Sequence, residues 1–194
     1  MRSPSIAGRI QSRNVAVAAL VAVVFAAGCG SSSTSGSLGL PRSALAATGV
    51  PKAVPMVAVG QAVWQGMRIR VVASAPVRFV VVTGTHEQLV KPTARDNMHL
   101  MVMLNDVQTG MAIPYASVWA TIKKGQRIVY DDRQWPMLSK YMGVHYGNNV
   151  ALPGPGSYSL SLLIGPPQSA RHMEYANVWR TPHRVNMTFH WAGA

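Results

Sequence analysis

The chain has 194 residues, 18 Lys and Arg against 6 Asp and Glu, and one cysteine. A single thiol excludes an intrachain disulfide and any cysteine-built zinc or iron–sulfur site, so the core must hold the fold and His, Met or carboxylate any metal. The basic balance favours anionic lipid headgroups, wall polymers or an acidic partner, and with no RNA- or DNA-binding motif present nucleic acid is not expected.

Arg2, Arg9 and Arg13 precede an unbroken small-and-apolar run, Val15 to Ala27, which Gly28-Cys29 and a Ser/Gly tract follow. This is the layout of a secretory signal over residues 1–28, too short to span a bilayer, which takes ~20 residues. "AAGC" resembles a lipobox, and Cys29 stands where lipidation of a bacterial lipoprotein requires it. The expected product is membrane-anchored on the extracytoplasmic side, periplasmic or at the cell surface. Removal of the signal takes away three arginines, leaving 15 basic and 6 acidic side chains. Residues 29–55, rich in Ser, Gly, Ala and Pro, read as a flexible tether from that anchor.

Residues 56–194 have the length of one domain and read as β throughout. "MRIRVV" (67–72) alternates, "VRFVVVT" (77–83) is β-branched, and "HLMVML" (99–104) and "ASVWATI" (116–122) follow. A short strand is expected at 128–130. "SYSLSLLI" (157–164) and "RVNMTFHW" (184–191) each put an apolar row on one face. Gly/Pro turns such as "GPG" (154–156) separate them, and about seven strands of this kind predict an all-β, immunoglobulin-like antiparallel sandwich. The stretch from Asp132 to Val150 reads as a long connection able to carry function. His86 reads as a loop residue and His190 as solvated surface.

The sequence has no G-x-S-x-G elbow, no H-E-x-x-H and no phosphate-cradling glycine loop. Asp131 and Asp132 are adjacent and point to opposite faces of a strand, so they make no acid/base pair. An enzyme is not expected. The chemistry concentrates instead in six histidines and 11 methionines. On a strand, His99, Met101 and Met103 share one face. "WPMLSKYMGVHYGNN" gathers Met137, Met142 and His145 in one stretch. Imidazole suits copper, zinc, iron and nickel, whereas thioethers favour Cu(I). The plain alternative is that these methionines fill core gaps.

"HLMVMLND", "IPYASVWATI", "WPMLSKYMGVHYGNNV", "GPGSYSLSLLIGPP" and a following histidine occur in an order that resembles the periplasmic Fe2+-transport protein family. That family includes copper-containing iron-uptake proteins and related metal-binding lipoproteins. The resemblance covers about residues 67–172. It implies an immunoglobulin-like sandwich that often dimerises and a metal site made of His99, Met137, His145 and His172, with His183 as the competitor of His172. Where the family strand reads His-x-Glu-x-Asp, this chain has Met101 and Met103. Thioethers in place of carboxylates point to copper over Fe2+ or another divalent metal, with Met101 a further candidate ligand. The function this implies is an extracytoplasmic carrier in iron or copper transport that serves a membrane permease. Ligation needs neutral imidazoles, so affinity should fall as pH drops through ~6.5. The rival reading is a metal-free cell-envelope binding module with a basic surface.

Overall fold

The computed structural model describes residues 55–193. The export signal, Cys29 and nearly all of the expected tether lie outside them. The described residues form β1 (Val57–Trp64), β2 (Met67–Ser74), β3 (Phe79–Thr83), β4 (His86–Val90), β5 (Met98–Asp106), β6 (Val118–Lys124), β7 (Arg127–Ser139), β8 (Gly143–Val150), β9 (Gly156–Ile164) and β10 (His183–Trp191). All pairings are antiparallel, in the order β1-β2-β5-β8-β7-β6-β9-β10, with β3 and β4 forming a separate hairpin.

The thirteen-residue β7 is shared between two halves. Its first part pairs with β6 as far as Gln134, and from Trp135 onward it pairs with β8. At the opposite edge Trp64 of β1 stacks on His183 of β10, with ring centroids 4.4 Å apart. The sheet therefore curls into a sandwich that is nearly a barrel. The expected fold class is the observed one.

Strand periodicity explains the core. Met98, Leu100, Val102 and Leu104 of β5 point inward with Ile69 and Val71 of β2. They meet Ala120, Ile122, Leu160, Leu162, Ile164 and Phe189 from the other half. Burial of such side chains contributes ~1.5–3 kcal/mol each. Tyr146 of β8 is fully buried in this layer; its hydroxyl donates to the Ile113 carbonyl at 3.1 Å and accepts from the Ala116 N–H at 3.0 Å. Tyr146→Phe would leave both backbone groups unpaired, and a urea unfolding curve should show a loss of about 2 kcal/mol at unchanged slope. A loss below a few tenths would contradict this role.

Two local expectations are corrected. The stretch 132–150 is not a loop: it holds the end of β7, a turn at Lys140–Met142, and β8. Met137 and His145 are directly opposite one another across the two strands. His86 opens β4, on an exposed strand. His190 is exposed, as expected.

Candidate metal centre

Because β5 alternates, the face opposite its core side carries His99, Met101 and Met103, all buried. Sheet register then sets their neighbours. His99 lies opposite Asn149 and Met101 opposite Gly147 on β8, while Gly147 also lies opposite Trp135 and His145 opposite Met137 on β7. Cross-strand partners share a face, so imidazoles and thioethers from three strands come together on one surface. The β7–β8 turn folds Met142 back onto it, where Met142 packs against Val72, Met101 and Met103. Met142 reaches the site through this turn, and only Met137 of the two methionines in that stretch was among the expected ligands.

This surface is the floor of a cleft of about 1320 Å3. His99, Met101, Met137, Met142 and His145 all line it, with Phe79 and Val81 of β3 forming one wall. The Phe79 ring lies 5.9 Å from that of His99, tilted by 52°. Among the lining residues the charged ones are Arg78, Arg133 and Lys140, and no carboxylate is present. Met103 stands apart: its sulfur accepts from Arg70 Nη2 at 3.5 Å. Among the described residues no group of three His, Cys, Asp or Glu is placed to hold a metal. The site chemistry thus rests on two imidazoles and thioethers.

The His145 Nδ1 lies 3.2 Å from the Gly143 carbonyl, which can only accept, so Nδ1 carries the proton and Nε2 keeps its lone pair. His99 Nδ1 lies 2.9 Å from Asn149 Oδ1. Burial pushes the His99 imidazole down from 6.5 to about 4, against an opposing contribution from the Asn149 hydrogen bond and with a further downward push from His145. His145 is lowered too, again chiefly by burial. His99 therefore stays neutral well below the ordinary histidine range and His145 is shifted in the same direction, so the expected weakening of metal binding near pH 6.5 moves to lower pH.

The glycine at 147 is required by this geometry. A Cβ there would stand 2.9 Å from His99 Nε2 and 3.0 Å from the Leu100 carbonyl oxygen. Gly147→Ala should displace the His99 ring and cost about 2 kcal/mol, read as a lowered thermal midpoint of the metal-free protein. An unchanged midpoint would mean that the ring yields freely.

His172 is not brought to this cleft within its own chain. It precedes a short 3-10 turn (Met173–Tyr175), is exposed, and makes no capping hydrogen bond. Its competitor His183 is engaged with Trp64 at the far edge of the sheet.

The site is thus a buried His/Met face at the floor of an open cleft in an all-β sandwich. Residues 57–193 match the Fe2+ transport protein family, and the chain belongs to that family. Its fold is similar to that of FetP of uropathogenic Escherichia coli, recombinantly expressed in the periplasm of E. coli, with a TM-score of 0.60 and 22% identity over 73% of this chain and 99% of FetP. A copper-bound glutamate-to-glutamine variant of FetP gives a TM-score of 0.59 and 20% identity, covering 72% of this chain and 94% of the variant. At these identities the likeness is one of fold. A 33-residue stretch is 48% identical to UPF0423 proteins of Brucella abortus, Brucella suis and Brucella melitensis. That match spans 17% of this chain and 18% of those relatives.

Proposed function

We propose that this member of the Fe2+ transport family is an extracytoplasmic copper carrier. Its metal is held by His99 and His145 through Nε2, with the Met101 and Met137 thioethers completing the set and Met142 close by. The observation that carries this reading is the donor set itself: two neutral imidazoles and several thioethers line one cleft, and no carboxylate joins them. Neutral soft donors suit Cu(I), whereas Fe(II) and Mn(II) draw their affinity from oxygen ligands. The cationic rim of Arg78, Arg133 and Lys140 adds to this, since it disfavours a doubly charged ion more than a singly charged one. The copper-bound FetP variant supports a metal in this fold. His172, exposed and away from the cleft, is not in the proposed set.

In this reading Cys29 carries the lipid that keeps the domain at the membrane, beside a permease that receives or supplies the metal. A second copy of the chain is the other expected partner. The His/Met ligation is tested by X-ray absorption at the copper edge on the Cu(I)-loaded protein. Nitrogen and sulfur scatterers together are expected. A first shell of nitrogen and oxygen alone would remove the thioethers from the site and return Met101 and Met137 to core packing.

A further inference from the structure

Which ring nitrogen of a ligating histidine carries the proton is set by the hydrogen bond that its other nitrogen makes. At His99 that partner is the Asn149 side chain, and an amide could in general offer either its oxygen or its nitrogen. Here the choice is fixed from the far side. The Val77 N–H donates to Asn149 Oδ1 at 3.1 Å, and Asn149 Nδ2 donates to the Val77 carbonyl at 2.9 Å. Reversing the amide would set two donors against each other at one end and two acceptors at the other. Both amide positions are thus decided by backbone atoms 72 residues away in the chain. Oδ1 is left facing His99 Nδ1, and an oxygen so placed can only accept.

We infer that Asn149 is a positioning residue that holds His99 as the Nδ1–H tautomer and thereby presents the Nε2 lone pair to the metal. Three features act together. The Val77 backbone orients the Asn149 amide, the amide fixes the proton on Nδ1, and Gly147 leaves the space that Nε2 occupies. Without Asn149 the ring could protonate at Nε2, which has no lone pair for a metal in that form, and part of the population would be unable to bind. Asn149 itself makes no contact with the metal in this arrangement. The inference rests on the copper reading for its consequence, but the tautomer is a property of the metal-free protein.

The test therefore has two readouts. Long-range 1H–15N correlation spectra of the metal-free protein report the His99 tautomer directly. Competition with a chromophoric Cu(I) chelator reports affinity. The wild-type protein should show His99 protonated at Nδ1. Asn149→Ala should give mixed tautomers and a ~10–100-fold weaker Cu(I) affinity. Asn149→Asp still accepts from His99 and from the Val77 N–H but sets its second oxygen against the Val77 carbonyl, so it should lose stability while keeping the Nδ1–H tautomer. If Asn149→Ala does not fold, the wild-type and Asn149→Asp spectra still decide the question.

His99 protonated at Nε2 in the wild type overturns the inference, and so does full Cu(I) affinity in folded Asn149→Ala. A fixed Nδ1–H tautomer in a wild-type protein that binds no Cu(I) would instead overturn the copper reading and leave the structural role of Asn149 standing.

Discussion

His145→Ala should abolish stoichiometric Cu(I) binding while leaving a folded sandwich. His145 is buried at the cleft floor and faces Met137 across the β7–β8 pair, and its protonated Nδ1 is turned to the Gly143 carbonyl. Loss of its Nε2 removes a ligand outright. The effect on affinity should therefore exceed the ~10–100-fold expected for removing an outer-shell partner. The stability cost is a lost hydrogen bond and a cavity open to the cleft, about 1–2 kcal/mol. Chelator competition and a urea unfolding curve on the same preparation separate the two effects. A variant that keeps full copper affinity would place the metal elsewhere; one that loses affinity only by unfolding would make His145 a core residue.

The second large effect is acid lability of the metal-free protein. The His99 imidazole is pushed down to about 4 in the folded chain, against 6.5 as its ordinary value. Above pH 6.5 the ring is neutral whether the chain is folded or unfolded, and it adds no pH dependence. Below 6.5 the unfolded chain takes up the proton first, so stability falls as pH falls. The loss levels off once the folded ring also titrates near 4, having reached roughly 3 kcal/mol. His145, lowered in the same direction, adds to it. Asp106 and Asp131, held low mainly by hydrogen bonds from Thr109 and from Thr121 and Trp119, contribute their own loss at more acid pH.

Urea midpoints of the metal-free protein between pH 7.5 and 4.5 should therefore decline steadily, and His99→Gln should flatten the upper part of that decline. Midpoints constant down to pH 4.5 would show that His99 is not buried as a neutral ring. For copper the consequence is that the acid loss of affinity expected of a free imidazole is displaced to lower pH. Protons compete only weakly for His99 at mildly acid pH, and His145 is shifted the same way, so the loss of affinity should set in at lower pH than for free imidazoles.

What the sequence made legible follows from burial. β2, β5, β6, β9 and β10 each press one face into the core, and their apolar rows alternate or run together accordingly. β4 lies mostly exposed and β1 is at most half-buried, and neither carries such a signal. β7 was expected only at 128–130, and its second half and β8 were hidden for a different reason. The second half of β7 is partly exposed on both faces beside the cleft, and Pro136 within it argues against a strand. That is why Met137 and His145 read as loop residues when they are cross-strand neighbours.

At the site, the shared face of His99 and Met101 followed from period-two alternation alone. The roles of Met142, Gly147 and Asn149 did not, because they depend on which strands pair and in what register. Asn149 reaches His99 across 50 residues of chain and Val77 across 72. Once 143–150 is known to be a strand, however, the alternation of His145, Gly147 and Asn149 along one face is visible in "HYGNN" itself. His172 shows the reverse case: family resemblance selected it, but its own chain leaves it exposed just before a short turn.

On the proposed reading this face holds copper in preference to harder ions. The most direct measurement is elemental mass spectrometry of the purified protein after exposure to Cu(I), Cu(II), Fe(II), Mn(II) and Zn(II) in separate samples, each washed with a weak chelator. Copper retained at one ion per binding cleft, with iron and manganese washed away, is the predicted result. Iron or manganese retained in place of copper would contradict it.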